Sequence, residues 1–242
     1  MNAAAPTDQQ AVTTRERLIV ALDFATIWEA EAVVTTLGDS VSFYKIGLEL
    51  ACGGGLPFAQ DLIKDGKEVF LDLKLHDIAT TVARACAQVA SLGAKFLTIH
   101  AYPQTMKAAK LAAAGSSLRL LGVTVLTSYD DHDLADAGYA YGVRDLVARR
   151  AAQAREAGLD GLILSAGEVP TIRASLGRKM LLVTPGIRPA GAEASDQKRT
   201  MTPAAAIVAG ADYLVVGRPV TQARNPRAAA EAIIAEIAAV PS

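Results

Sequence analysis

Three ionisable residues, Asp72, Lys74 and Asp77, fall within six positions of one another in the stretch Glu68–Thr81, E-V-F-L-D-L-K-L-H-D-I-A-T-T. The stretch begins as a short apolar strand and ends as the opening of a helix. Side chains alternate faces along a strand, so Asp72 and Lys74 share a face with Cα atoms about 6.6 Å apart, while Leu71, Leu73 and Leu75 face an apolar layer. A lysine with an acid on either side, at the end of an otherwise buried strand, is either an internal ion pair or a place where charge is used. Other polar residues recur at the same point in later and earlier apolar runs. Asp23 ends Leu18–Asp23, Lys45 lies late in Ser42–Leu48, Thr127 follows Arg119–Leu126, Ser165 lies in Gly161–Ala166, and Arg218 ends Tyr213–Arg218.

These runs set the architecture. Eight short apolar segments, completed by Glu68–Leu75, Phe96–Ala101 and Leu181–Gly186, read as strands, most of them followed by helical spacing. Helices are expected over about 27–37, 57–65, after Glu68–Leu75 to about Leu92, over 103–114, on either side of Gly138, from Val169, and over Pro226–Ala239, with Gly38, Gly93 and Gly115 as stop signals. Nearly continuous apolar strands that alternate with helices indicate a parallel sheet covered on both faces. Eight such units in 242 residues is the arithmetic of a single (β/α)8 TIM barrel. A doubly wound open sheet is the rival, but the first turn, Ala21–Ala25, lacks a glycine fingerprint. Residues 1–16 read as a flexible leader and 17–242 as one catalytic domain.

Composition narrows the function classes. A formal charge of −1 argues against a nucleic-acid surface and a polybasic membrane patch, and no apolar run reaches the length of a membrane span. Cys52 and Cys86 show no metal spacing and read as reduced thiols, which with the absence of a signal peptide suggests the cytoplasm. His76, His100 and His132 have no metal-ligand spacing and read as hydrogen-bonded structural residues. No Gly-x-Ser-x-Gly elbow supports a serine hydrolase.

Barrel active sites gather at the C-terminal strand ends, where Asp23, Lys45, Asp72, Lys74, Asp77, Thr127 and Arg218 collect. Some could be rim ion pairs, but buried pairs stabilise weakly, so this many charges on one rim favours a site. The polar segment 187–200 after strand seven reads as a functional lid. Gly217 and Arg218 read as a phosphate contact, the glycine by close backbone approach and the arginine by a bidentate fork. The alternative for Arg218 is a rim salt bridge.

The motifs Ala-Leu-Asp23, Lys45-Ile-Gly47, Asp72-Leu-Lys74-Leu-His76-Asp77-Ile78, Val183-Thr-Pro-Gly-Ile-Arg-Pro189, Asp196-Gln197 and Val216-Gly-Arg-Pro-Val220 together resemble the orotidine 5′-phosphate decarboxylases, in order, from about residue 18 to the end. The departure is Ala79-Thr80 where the family continues Pro-Asn, which frees φ at position 79 and bears on the helix start. The resemblance implies conversion of orotidine 5′-monophosphate to uridine 5′-monophosphate and carbon dioxide, the last step of UMP biosynthesis, without metal or organic cofactor. It implies that Lys74 stabilises charge at C6 and donates the proton, with Asp72 and Asp77 keeping it charged. Lys45 would complete a catalytic charge network with Asp72 and, with Asp23, orient the ribose hydroxyls, and Thr127 would meet the pyrimidine. Arg188, Gln197, Gly217 and Arg218 would form the lid and phosphate contacts. It also implies a homodimer in which Asp77 and Thr81 serve the partner's site. The nearest rival is a Mg-dependent sugar-phosphate decarboxylase or aldolase with the same Asp-x-Lys-x-x-Asp element. A non-catalytic barrel that binds a phosphorylated ligand would leave Lys74 unaccounted for.

Overall fold

The computed structural model describes residues 12–189 and 200–241. Eight parallel strands close in sequence order into one barrel: β1 Leu18–Leu22, β2 Phe43–Gly47, β3 Glu68–Leu75, β4 Phe96–His100, β5 Arg119–Val123, β6 Gly161–Ile163, β7 Leu181–Thr184 and β8 Tyr213–Val216, with β8 pairing back onto β1. The covering helices are α1 Ile27–Leu37, α2 Leu56–Lys64, α3 Ala79–Leu92, α4 Pro103–Ala112, α5 Asp131–Asp136, α6 Val143–Glu156, α7 Val169–Leu176, α8 Pro203–Val208, α9 Arg218–Thr221 and α10 Pro226–Ala238. The (β/α)8 architecture expected from the alternation is the one observed. Helix α8 is an addition: Thr202 accepts a hydrogen bond from the Ala205 amide and Pro203 occupies the first turn, a helix start that the polar character of the preceding segment masks.

Strand parity sorts the core into two layers. Ile19, Phe43, Phe70, Phe96, Leu121, Ile163, Val183 and Tyr213 point into the barrel, and Leu18, Val20, Tyr44, Leu71, Leu97 and their counterparts pack outward against the helices. Aromatic rings fill the lower barrel, with Phe96 lying 5.2 Å from Phe43 and 5.1 Å from Tyr213 between ring centroids. Truncating one of these rings to alanine costs roughly 3–5 kcal/mol. Val12 packs against the same inner layer, and a turn at Arg15–Arg17 follows it. Part of the segment assigned to a leader therefore contacts the barrel floor.

Two acids just ahead of their strands tie neighbouring units together. Asp160 accepts from the Leu120 amide of β5 and pairs with Lys110 of α4, and Asp212 accepts from the Leu182 amide of β7 and pairs with Arg173 of α7. These contacts fix strand register at the closed end. The open end is left to the side chains that follow one or two residues higher on each strand.

Candidate active site

The inward positions immediately above the aromatic floor are where the charges lie. Lys45 stands two residues beyond Phe43 on β2, and Asp72 two beyond Phe70 on β3. Register pairs Ala21 with Lys45 and Gly47 with Asp72, so small residues on the neighbouring strands leave room for the charged side chains. Lys45 Nζ lies 2.7 Å from Asp23 Oδ1 and 3.6 Å from Asp72 Oδ2, and Lys74 Nζ lies 2.9 Å from Asp72 Oδ1. The result is an alternating row Asp23–Lys45–Asp72–Lys74. Exposure rises towards its ends: the Lys45 and Asp72 side chains are 8% and 15% exposed, those of Lys74 and Asp23 30% and 54%. Each inner charge is flanked by an opposite charge on both sides, and the outer two are the more exposed.

That space is a cavity of 660 Å³ lined by Asp23, Lys45, Asp72, Lys74, Thr127, Arg188, Gly217 and Arg218, together with Ser128, Gly186, Thr221 and Gln222. Eight of the residues singled out in the sequence are thus brought together from six of the eight strands' ends. Gln197 lies outside the described residues, as do positions 190–199 of the polar segment. Asp77 and Thr81 are exposed and do not line this cavity. Asp77 accepts a hydrogen bond from the Ile78 amide at 2.6 Å, and Ile78 itself is 70% exposed. The Ala79-Thr80 departure leaves the helix start in place, since α3 begins at Ala79 and the Val82 amide donates to the Ile78 carbonyl.

Several strand ends differ from their sequence reading. Strand β8 stops at Val216, and Arg218 opens the one-turn helix α9 instead of ending the strand. Strand β5 stops at Val123, so Thr127 sits on the loop above it. The loop is anchored by Arg150 of α6, which donates to the Thr124 carbonyl and to the Tyr139 hydroxyl and lies 4.6 Å from the Tyr102 ring centroid. Strand β6 stops at Ile163, and Ser165 is buried away from the cavity with its amide donating to Glu168. Ser165 belongs to a turn.

Strand β3 is not the regular strand its alternation suggests. Leu71 pairs with Leu97 but Leu75 pairs with Ile99, so the three residues 72–74 stand opposite Thr98 alone. Lys74 adopts φ +48°, the left-handed region, which costs a non-glycine residue roughly 1–2 kcal/mol. The bulge aims the lysine, as bulges beside active sites commonly do. Thr98 was not among the residues singled out from the sequence, although it has inward parity in an apolar strand. Its hydroxyl donates to Asp72 Oδ1 at 2.9 Å and accepts from the Lys74 amide at 2.9 Å.

Burial drives the Asp72 carboxyl towards its neutral form, but the charges of Lys45 and Lys74 and hydrogen bonds from Lys74 and Thr98 outweigh it, holding the group below its ordinary value. Asp72 is therefore an anion in the folded protein at neutral pH. Among the histidines, His76 stacks on Tyr102 at 4.3 Å and its Nδ1 lies 3.0 Å from Thr105 Oγ1. Burial, with help from His76, Arg150 and Lys74, lowers the His100 pKa and favours the neutral ring. His132 differs, being exposed and 3.5 Å from Asp136 on α5.

Comparison with known proteins agrees with this geometry. A family model described as "Orotidine 5′-phosphate decarboxylase / HUMPS family" matches residues 16–233. An orotidine 5′-phosphate decarboxylase of Rhodopseudomonas palustris (strain ATCC BAA-98 / CGA009) is 63% identical over 235 residues, which cover 97% of this chain and 98% of the relative. One from Afipia carboxidovorans is 62% identical, covering 95% and 98%. The crystal structure of orotidine 5′-phosphate decarboxylase from Lactobacillus acidophilus superposes with a TM-score of 0.82 at 38% identity, covering 92% of this chain and 99% of that one. The chain belongs to the orotidine 5′-phosphate decarboxylase / HUMPS family.

Proposed function

We propose that this barrel decarboxylates orotidine 5′-monophosphate to uridine 5′-monophosphate, with Lys74 as the group that meets the reacting carbon. The observation that carries the assignment of roles is the row Asp23–Lys45–Asp72–Lys74, whose ammonium end projects into the cavity. Loss of carbon dioxide from C6 leaves an electron pair in the plane of the ring, where the π system cannot delocalise it. A fixed cation beside C6 lowers the energy of that charge as it develops. The same ammonium then transfers a proton to C6, and the new C–H bond takes up the electron pair. Asp72 holds the ammonium in position, 2.9 Å from its Oδ1.

Lys45 fixes Asp72 from the other side and, with Asp23, faces the ribose. Arg218 and Gly217 lie three strands round the barrel from β3, a placement that suits a phosphate held away from the reacting base. Arg188 and Gln197 are assigned to the same phosphate end and Thr127 to the pyrimidine. Binding energy gathered at the phosphate can then stabilise the transition state at C6. The Mg-dependent aldolase reading is less well supported: Asp23 and Asp72 are each engaged by lysine, and relatives 62–63% identical carry the decarboxylase name. Residues 17–242 form the catalytic domain in this reading. Two free cysteines, Cys52 and Cys86, suit a reducing cytoplasm.

The working unit we infer is a homodimer. Asp77 and Thr81 sit outside their own cavity beside the exposed Ile78, as expected of groups lent to a neighbouring subunit.

The test is Lys74→Ala. Loss of orotate absorbance should cease with orotidine 5′-monophosphate, in excess chelator, while uridine 5′-monophosphate still binds. A variant with near-normal kcat refutes the assignment.

A further inference from the structure

We propose that Thr98 is a positioning residue for the decarboxylation, holding Asp72 and the backbone of Lys74 in the one arrangement that points the ammonium into the cavity. The inference rests on the reading of Lys74 above. Thr98 is fully buried on β4, does not line the cavity, and so acts only through its neighbours. It is the single β4 residue opposite the three-residue excursion 72–74 of β3. A bulge of that kind interrupts the ladder and leaves backbone groups without their usual partners.

The threonine hydroxyl meets two needs of the bulge at once. As acceptor it takes the Lys74 amide, which the shifted register removes from ordinary strand pairing, and as donor it fixes Asp72 Oδ1. That oxygen is the one 2.9 Å from Lys74 Nζ. The hydroxyl therefore restrains both ends of the lysine, its backbone directly and its ammonium through the shared carboxylate oxygen. Lys74 is the one non-glycine residue with positive φ among the described residues. A strained conformation persists only where its surroundings over-determine it, and the Thr98 hydrogen bond is the specific contact that does so. Serine keeps this hydroxyl; valine keeps the shape and removes it.

Thr98→Val should lower kcat by about 10–100-fold, because a reacting group displaced by about 1 Å can cost 100-fold, while KM stays within about threefold. Thr98→Ser should recover kcat to within about threefold of wild type. Should valine not be accommodated, Thr98→Ala makes the same comparison against serine. A purely structural role predicts a loss of folded protein with an unchanged kcat per active site, titrated with uridine 5′-monophosphate. Unchanged kcat in Thr98→Val, or equal losses in the valine and serine variants, overturns the inference. Lys74→Ala measured alongside separates the two claims. If it retains turnover the reading of the site fails, and if it is inactive while Thr98→Val is fully active, only the role of Thr98 fails.

Discussion

Replacing Lys45 by methionine tests whether the buried charge row stabilises the fold as well as shaping the site. Methionine approximates the lysine stem in volume, so the main change is loss of the ammonium between Asp23 and Asp72. Lys45 Nζ and Asp72 Oδ2 are 3.6 Å apart with side chains 8% and 15% exposed. At an effective dielectric of about 20, that separation corresponds to roughly 4.6 kcal/mol of attraction. Two corrections reduce it: the variant no longer buries an ammonium, and Asp72 keeps Lys74 and Thr98 as partners. Removing one member of a buried pair usually costs about 3–5 kcal/mol, so about 3 kcal/mol is expected at pH 7. Urea titration followed by far-UV circular dichroism measures it; the one tryptophan, Trp28, is 82% exposed and reports poorly on burial. The sign of the pH dependence follows from Asp72, whose folded pKa lies below its unfolded value of about 3.9. Its stabilising contribution is fully present above the unfolded value and is lost as pH falls through the folded one. In Lys45→Met the folded pKa moves up, acid unfolding starts at higher pH, and the difference from wild type shrinks once both proteins have Asp72 protonated. In an Asp72→Asn background, Lys45→Met should cost much less. A cost below about 1 kcal/mol at pH 7, or one unchanged down to acid pH, refutes the argument that these charges are held in a low-dielectric wall.

Gly47→Ala would place a Cβ 2.6 Å from Asp23 Oδ1 and 3.0 Å from Lys45 Nζ. The half-exposed Asp23 is expected to swing outwards, raising KM about tenfold or more with little loss of thermal stability; an unchanged KM counts against a substrate role for that pair. Arg218→Ala should lower kcat/KM by several kcal/mol of transition-state binding, and unaltered kinetics would move the phosphate elsewhere. If the proposed homodimer forms, inactive Lys74→Ala and Asp77→Ala variants, once mixed and allowed to exchange subunits, should regain activity, because one site in each hybrid would carry an intact Lys74 and the partner's intact Asp77. No recovery despite exchange would place Asp77 in its own subunit's site. Burial raises the Cys86 thiol to about 11 while Cys52 is exposed, so a thiol reagent at pH 8 should modify one cysteine in the native protein and both in denaturant.

The barrel was legible because its signal is repeated eight times. Most strand residues are buried on both faces, and runs such as Leu-Ile-Val-Ala-Leu mark strand identity plainly. Parity then placed Lys45, Asp72 and Lys74 inside the barrel, since the inward face is fixed by counting in twos from Phe43 or Phe70. Register between strands left no such trace. Leu-Asp-Leu-Lys-Leu looks like regular alternation, yet residues 72–74 bulge against Thr98, a property of two strands together that neither run contains. Thr98 could have been found by asking which polar residue in Phe-Leu-Thr-Ile-His shares the inward parity of Phe96. Ser165 failed for the opposite reason: the apolar run Gly161–Ala166 extends beyond the ladder, and its last residues turn away from the mouth.

The bulge also explains why Asp72 and Lys74 can work as separate parts of one site. On a regular strand both side chains would stand parallel, and the ammonium would lie beside its own carboxylate as a closed ion pair in the wall. The left-handed turn at Lys74 lets Nζ keep one carboxylate oxygen at 2.9 Å while its side chain reaches the cavity. The second carboxylate oxygen faces Lys45. Asp72 is thus shared between a lysine that neutralises it within the wall and a lysine that it steadies at the cavity. A row of four charges serves this purpose better than an isolated pair, because Lys45 compensates the buried carboxylate without requiring all of the Lys74 charge to do so. In the proposed reaction the ammonium then retains field to direct at a developing carbanion, which a pair fully closed on itself would spend on its own partner.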